Sequence, residues 1–483
     1  MTHYIRQQYL DVNLIGSEPN GMALEHHLSE LYYNSLLPAI ESVFDNCLLS
    51  DKLLVIDRLE IDAGTLCLDR IDEELAKAVT KALTESIEKE SVNSFFEKKM
   101  PIQSITSIED PQTIQANSRL RSHEENLLDV FVYFLQNGLL PWSYKLPAAK
   151  SLEEVITELL LGISSKNIYT DLKSQIIRIS DVFNSDNARN RLQLQFSETF
   201  VLLLIKILDP FSYQNLTDLM ADTVIAKTSG TTDGGRLVRK LLFENFLIQC
   251  SSSSEVTKAG LAKQVLNELR LKSEIDPLFF HLLENRWNRN QIFDDQPVKV
   301  KIPVSSFVTN EENLIEVTAR EIYIDNAGLV ILHPFLSQFF EALGIAFNEK
   351  IVQPERALGL LHYLVTGQTQ RPEYELVLAK ILCNVPISTP IDAEFEIEEK
   401  ELNESSALLN AVIAHWDALR NTSQDGLRGT FLVRPGKLTL KDDGDWQLQV
   451  ESRTFDILLE HLPWGISLIK LPWMKQMLQV EWG

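Results

Sequence analysis

Gly230-Thr-Thr-Asp-Gly-Gly235 carries the spacing of the first half of a phosphate-binding loop. Arg236 and Leu237 stand where such a loop needs Lys and Ser or Thr to hold phosphate and magnesium, and no strand leads into it. A plain connection is the simpler reading. His26 and His27 are adjacent, so on a helix their side chains diverge by about 100° and cannot share a metal. His26 and Glu30 have i, i+4 spacing but lack a third ligand. His333, His362, His415 and His461 fall in one region and could meet in space, yet single hydrogen-bonded or surface histidines explain them more simply. Cys47, Cys67, Cys250 and Cys383 are far apart with no CxxC pair, so neither a zinc ribbon nor a disulfide framework is expected, only reduced core thiols. No nucleophile elbow, H-E-x-x-H or Cys-His signature is present, and no carboxylate pair stands out from the acidic background. No catalytic, cofactor-binding or metal-binding residue is therefore assigned, and the chain reads as non-enzymatic.

The tryptophans say more. Trp416, Trp446, Trp464, Trp473 and Trp482 are five of the seven in the chain, and all lie near its end. Large aromatics supply the most buried area per residue, in a core or at an interface, and carbohydrate or peptide binding also uses them. Core packing is the first expectation, with Trp464 and Trp473 mainly buried.

The elements that must position these residues follow from periodicity. Leu10, Val12 and Leu14 alternate with polar residues as in a half-buried strand. A helix is expected over about Met22 to Phe44, a second strand over Leu53 to Ala63, and a helix capped by Asp69 carrying Leu75, Val79, Leu83 and Ile87. Two strands joined through a helix are most simply parallel, and two alone are marginal, so further strands must come from elsewhere in the chain or from a neighbour. This gives an α/β unit over 1–92, then a polar, proline-bearing linker over 93–122.

Residues 123–292 read as a helical middle region, with helices near Leu127–Leu135 (stopped at Gly138), Leu152–Leu161, Phe196–Leu208, Leu237–Gln249 and Leu261–Leu271. Thr228–Gly235 and Ser251–Ser254 read as flexible connections. Residues 293–483 read as a mixed α+β domain. Val298–Val308 alternates as a strand and Asp325–Gly328 reads as a turn. Helices follow near Phe335–Leu343, Pro354–Leu364, Glu373–Leu382 and Ser406–Leu419, then a β-hairpin through Leu438, Leu440, the Lys441–Gly444 turn, Trp446, Leu448 and Val450. The acidic stretch Asp392–Glu404 reads as a solvated loop or helix start. The fold class is thus α+β and predominantly helical.

At 483 residues the chain has room for two or three domains, and 45% hydrophobic with 23% charged residues is the balance of a folded protein. Its formal charge of −23 repels phosphates and anionic lipid surfaces, so no nucleic-acid partner and no membrane surface is expected. Residues 1–8 lack the apolar core of a secretory signal, and the strongest apolar run, Phe200–Leu208, is too short to span a bilayer. A cytoplasmic protein, or one that leaves only inside a particle, is the expectation.

An ordered series in the tail carries a resemblance. It runs through Leu332-His333-Pro334-Phe335-Leu336, Arg356-Ala357, Lys380, His415-Trp416, Arg434 with Gly436, and Trp446. It closes with Asp456-Ile457-Leu458-Leu459, Leu462-Pro463-Trp464, Leu471-Pro472-Trp473-Met474 and Glu481-Trp482. Together with Ile56-Asp57-Arg58-Leu59 near the start, this resembles the contractile injection system tape measure proteins of phage-tail-like particles. The resemblance covers about half of the chain. It implies a structural or assembly role, with control of tube and sheath length, and inner tube, baseplate or spike subunits as partners. The cap and further copies of this chain are additional candidates. It also leaves open a dedicated assembly chaperone or adaptor that is not retained in the finished machine. A single helix of 483 residues would span roughly 720 Å, but Pro141, Pro147, Pro210, Pro277, Pro303, Pro334, Pro354 and Pro372 interrupt it. A folded protein is expected instead.

Overall fold

The computed structural model describes residues 5, 8–13, 27–46, 52–56, 58–97, 118–166, 179–225, 232–251, 257–271, 276–290, 292, 321–419 and 421–482. The fold is predominantly helical α+β. Contacts divide the chain into two units, 1–129 and 130–483.

In the first unit, residues 27–46 are continuously helical and end as α1 (Leu37–Asn46). Pro38 falls inside this run and cannot donate to the carbonyl four residues back. The chain answers with a π-helical turn at Tyr32–Leu36, in which the Leu37 N–H reaches the Tyr32 carbonyl. After a 3-10 turn at Leu68–Arg70 comes α2 (Ile71–Glu97). Its Leu75, Val79, Leu83 and Ile87 recur at helical spacing and pack into one core with Leu28, Leu36, Ile40 and Val43.

The strands depart from expectation. Residues 8–13 form no strand, and Leu10 and Val12 are exposed, because alternation alone supplies no hydrogen-bonding neighbour. The second strand is shorter than its pattern, β1 (Lys52–Ile56), and it pairs antiparallel with β2 (Ser118–Ser122), Leu54 opposite Leu120. The sequence Ser-Arg-Leu-Arg-Ser has one apolar residue, which is why it read as the end of a linker.

The second unit begins within α3 (His123–Asn137), which stops at Gly138 with φ +72°. Its helices continue as α4 (Leu152–Lys166), α5 (Asp186–Gln195), α6 (Glu198–Leu208), α7 (Pro210–Ile225), α8 (Thr232–Ser251), α9 (Lys258–Leu271) and α10 (Pro277–Arg289). Pro210 and Pro277 sit in first turns, where a missing N–H costs nothing. Ser197 caps α6 by accepting the Phe200 N–H at 3.2 Å, and Asp276 caps α10 by accepting the Leu278 N–H at 3.0 Å. Phe131, Phe134, Phe196 and Phe200 make a cluster of edge and stacked contacts, with centroids 4.5–5.8 Å apart. Thr232–Gly235 is the first turn of α8 and not a loop. Gly234 lies beneath Phe279, whose ring is 2.9 Å from where a Cβ would stand. Residues 228–231, 252–254 and 298–308 lie outside the described residues.

The remainder builds on a five-stranded sheet in the order β3 (Glu321–Ile324), β6 (Gly436–Leu440), β7 (Trp446–Val450), β9 (Leu478–Trp482), β8 (Leu468–Ile469). The β6–β7 hairpin has Leu438 opposite Leu448, as its alternation predicts. β7 and β9 pair in parallel, and the other neighbours are antiparallel. A small hairpin, β4 (Ala346–Phe347) and β5 (Lys350–Ile351), stands apart. Helices α11 (His333–Ala342), α12 (Pro354–Thr366), α13 (Val377–Leu382) and α14 (Glu399–His415) complete one continuous core with the sheet.

The expected turn at Asp325–Gly328 instead leads into a buried 3-10 helix, Ala327–Leu332. Gly328 permits it: a Cβ there would lie 1.7 Å from the Phe431 carbonyl oxygen. The acidic stretch does start a helix, through a capping box between Glu398 and Glu401, but Glu401 is buried against Arg356 and not solvated.

Candidate functional site

The tryptophan-bearing tail is stitched to the core by indole N–H groups. Trp416 is fully buried, tilted against Phe431 at 4.7 Å, and donates to the Leu458 carbonyl at 3.1 Å. Trp464 donates to the Ile331 carbonyl at 3.0 Å and Trp473 to the Leu382 carbonyl at 2.7 Å. Trp482 donates to Asp456 Oδ2 at 3.1 Å. Each bond satisfies a donor that burial would otherwise penalise, and each ties a different stretch of tail to a different part of the unit.

Trp473 is buried beside Phe340, but Trp464 is only half-buried, standing edge-on to Phe335 at 5.2 Å. Phe335 in turn meets the ring of His415 at 6.0 Å. Leu332 is buried at the end of the 3-10 helix, and Pro334 is exposed in the first turn of α11. Trp446 opens β7 and is buried. Leu471, Trp473 and Met474 are buried around a turn closed by the Met474 N–H to the Leu471 carbonyl, while Pro472 is exposed. Leu462 is half-buried and Pro463 exposed.

The four tail histidines do not form one centre. His333 Nδ1–H donates to the Val330 carbonyl at 2.9 Å, and burial holds its pKa below the ordinary 6.5 against that bond's opposing pull. His362 is buried and meets Glu375 Oε2 at 2.8 Å. His415 Nδ1–H donates to the Ala411 carbonyl at 2.7 Å, and His461 is exposed. Among the described residues no group of three or more His, Cys, Asp and Glu could hold a metal. His26 and Cys47 lie outside the described residues, while His27 Nε2 meets Asp72 at 2.6 Å. Cys383 is a core thiol, its pKa pushed up by burial, and burial followed by the Asp209 charge raises that of Cys250 to about 12. Cys67 is exposed, contrary to the expectation of core thiols throughout.

Two buried charge networks complete the picture. Arg434, fully buried, grips Asp456 with both terminal nitrogens at 2.6 and 2.8 Å and lies 5.2 Å over the Trp482 ring. Burial pushes the Asp456 carboxyl up, but Arg434, the Arg453 backbone N–H and the Trp482 indole together hold it below 3.8. Arg191 on α5 makes two bonds to Glu373, at 2.8 and 3.0 Å, and Lys380 on α13 donates to the same carboxylate at 2.8 Å. All three side chains are out of solvent.

The model of the contractile injection system tape measure protein family matches residues 2–482. This chain belongs to that family. No curated protein and no solved structure matches it. The tape measure family is one of structural proteins of phage-tail-like injection systems, so the role of this chain lies in its contacts with other subunits of such a system. Among the described residues of this tape measure family member, no helix is long and apolar enough to cross a membrane.

The charged networks are what sequence reasoning missed. Lys380 had a visible signal: a lone cation in Leu376-Val-Leu-Ala-Lys-Ile-Leu-Cys383 demands a partner if that run is buried. Arg191 sits in a polar run, Asn187-Ala-Arg-Asn-Arg191, and gave none.

Proposed function

We propose that this protein sets the length to which the inner tube and sheath polymerise, acting as a folded assembly component that contacts tube, baseplate or spike subunits. The match to the tape measure family over residues 2–482 carries this reading. The longest helix among the described residues, α2 with 27 residues, would span about 40 Å, so the described elements offer no single-helix ruler. Length must then come from repeated docking, from an extended partner or from the count of subunits the folded chain engages. The tail tryptophans and the Leu332–Phe335 segment serve this role by fixing the shape of the docking body, and not by chemistry.

Deletion of the gene tests the proposal. Electron microscopy should show particles of wrong or scattered length, or none; particles of normal, uniform length overturn it. Mass spectrometry of purified natural particles should find the chain in fixed stoichiometry. Its absence from particles whose assembly depends on it would instead make it a dedicated assembly chaperone or adaptor.

A further inference from the structure

Residues 387–393 have no regular secondary structure, yet their carbonyls are held almost one by one. Lys380 Nζ donates to Ile387 O at 2.8 Å and Thr389 O at 2.7 Å, and Arg191 to Ser388 O at 2.8 Å. Gln195 Nε2 donates to Ile391 O at 2.7 Å, Arg371 Nε to Asp392 O at 2.8 Å, and the Arg371 backbone N–H to Ala393 O at 2.9 Å. The Ala393 N–H returns a bond to Leu194 O at 2.9 Å. Lys380 thus meets three acceptors, the two carbonyls and Glu373, which use all three protons of a charged ammonium.

These bonds join two halves of the second unit. Arg191, Leu194 and Gln195 lie on one turn and a half of α5, in the helical half. Glu373, Lys380, Arg371 and the 387–393 segment belong to the mixed half. Gln195 Oε1 also accepts the Glu373 N–H at 2.8 Å. Gly138 leaves room for the triad, since a Cβ there would stand 2.3 Å from Glu373 Oε1. Separating the halves would take the Glu373 carboxylate and Ser388 O away from buried Arg191, while Lys380 would keep Glu373 and both carbonyls within the mixed half. One buried cation left without its counter-charge is a far larger penalty than loss of neutral contacts.

We propose that residues 387–393 are a strap, placed by the Arg191–Glu373–Lys380 triad, that makes the helical half (130–292) and the mixed half (321–482) open as one cooperative unit. Hydrogen exchange of the full chain under increasing urea tests it. Slow amides of α6 and α8 and those of α12 and α14 should exchange through one opening with the same urea dependence. Glu373→Gln should split this into two openings, the helical half first. Gln195→Ala removes a strap clamp without stranding a charge, so it tests the idea even if the first variant does not fold. It should speed Ala393 exchange by about tenfold and separate the two halves. Halves that already open separately in the natural chain, or that still open together in Gln195→Ala, overturn the proposal.

Discussion

Single side chains in this protein are distinguished by what burial obliges them to find. Trp473 is buried with its indole bonded to Leu382 O, so Trp473→Ala should cost about 3–5 kcal/mol in urea unfolding of the second unit. Half-buried Trp464 should cost clearly less, although it makes the same type of bond. Acid should act on two residues in separate windows. His333 binds its proton less readily folded than unfolded, so stability it supports is full above pH 6.5 and falls as pH drops through its lowered folded value. Asp456 is the carboxylate counterpart: its contribution is full above 3.8 and is lost as pH falls below that toward the folded pKa. Stability measured against pH should therefore decline in two steps, with His333→Gln flattening the upper one and Asp456→Asn the lower. An unchanged profile in either variant contradicts the assigned residue. Asp456→Asn also leaves buried Arg434 without its counter-charge and should cost about 3–5 kcal/mol at neutral pH.

Elements are governed by their ends and close approaches. Ser197→Ala should cost about 1 kcal/mol, since the Ser197 side chain caps α6. Gly328→Ala should be far worse, because the clash is with backbone and not with a side chain that can swing away; thermal unfolding compares the two directly. The helices with long apolar stripes, such as α3 and α12, and the β6–β7 hairpin were legible in the sequence because each reports its own periodicity. Leu10 and Val12 misled, since a strand depends on a neighbour that local pattern does not name. β2 was hidden for the converse reason: its partner β1 supplies the order that Ser-Arg-Leu-Arg-Ser does not advertise. Of the tail motif, the burial of Trp416, Trp446 and Trp473 was readable from residue type. The bonding partners of Trp416, Trp464 and Trp473 were not, because Leu458 O, Ile331 O and Leu382 O are backbone atoms found only once the chain is folded.

At the scale of the molecule, the family and the charge of −23 both direct attention to protein partners. The sheet adds a constraint of time. β9 follows β7 and β8 in the chain but lies between them, paired with Trp446–Val450 on one side and Leu468–Ile469 on the other. While the ribosome is still short of Leu478, β7 has an open edge and β8 has nothing to hold, so this half cannot close before β9 is made. Chains arrested before residue 478 should be digested throughout 321–470 by a protease that spares chains carried past Trp482. Any contact with a neighbouring subunit that needs the closed sheet therefore waits until Leu478–Trp482 has left the ribosome and slotted between its two partners.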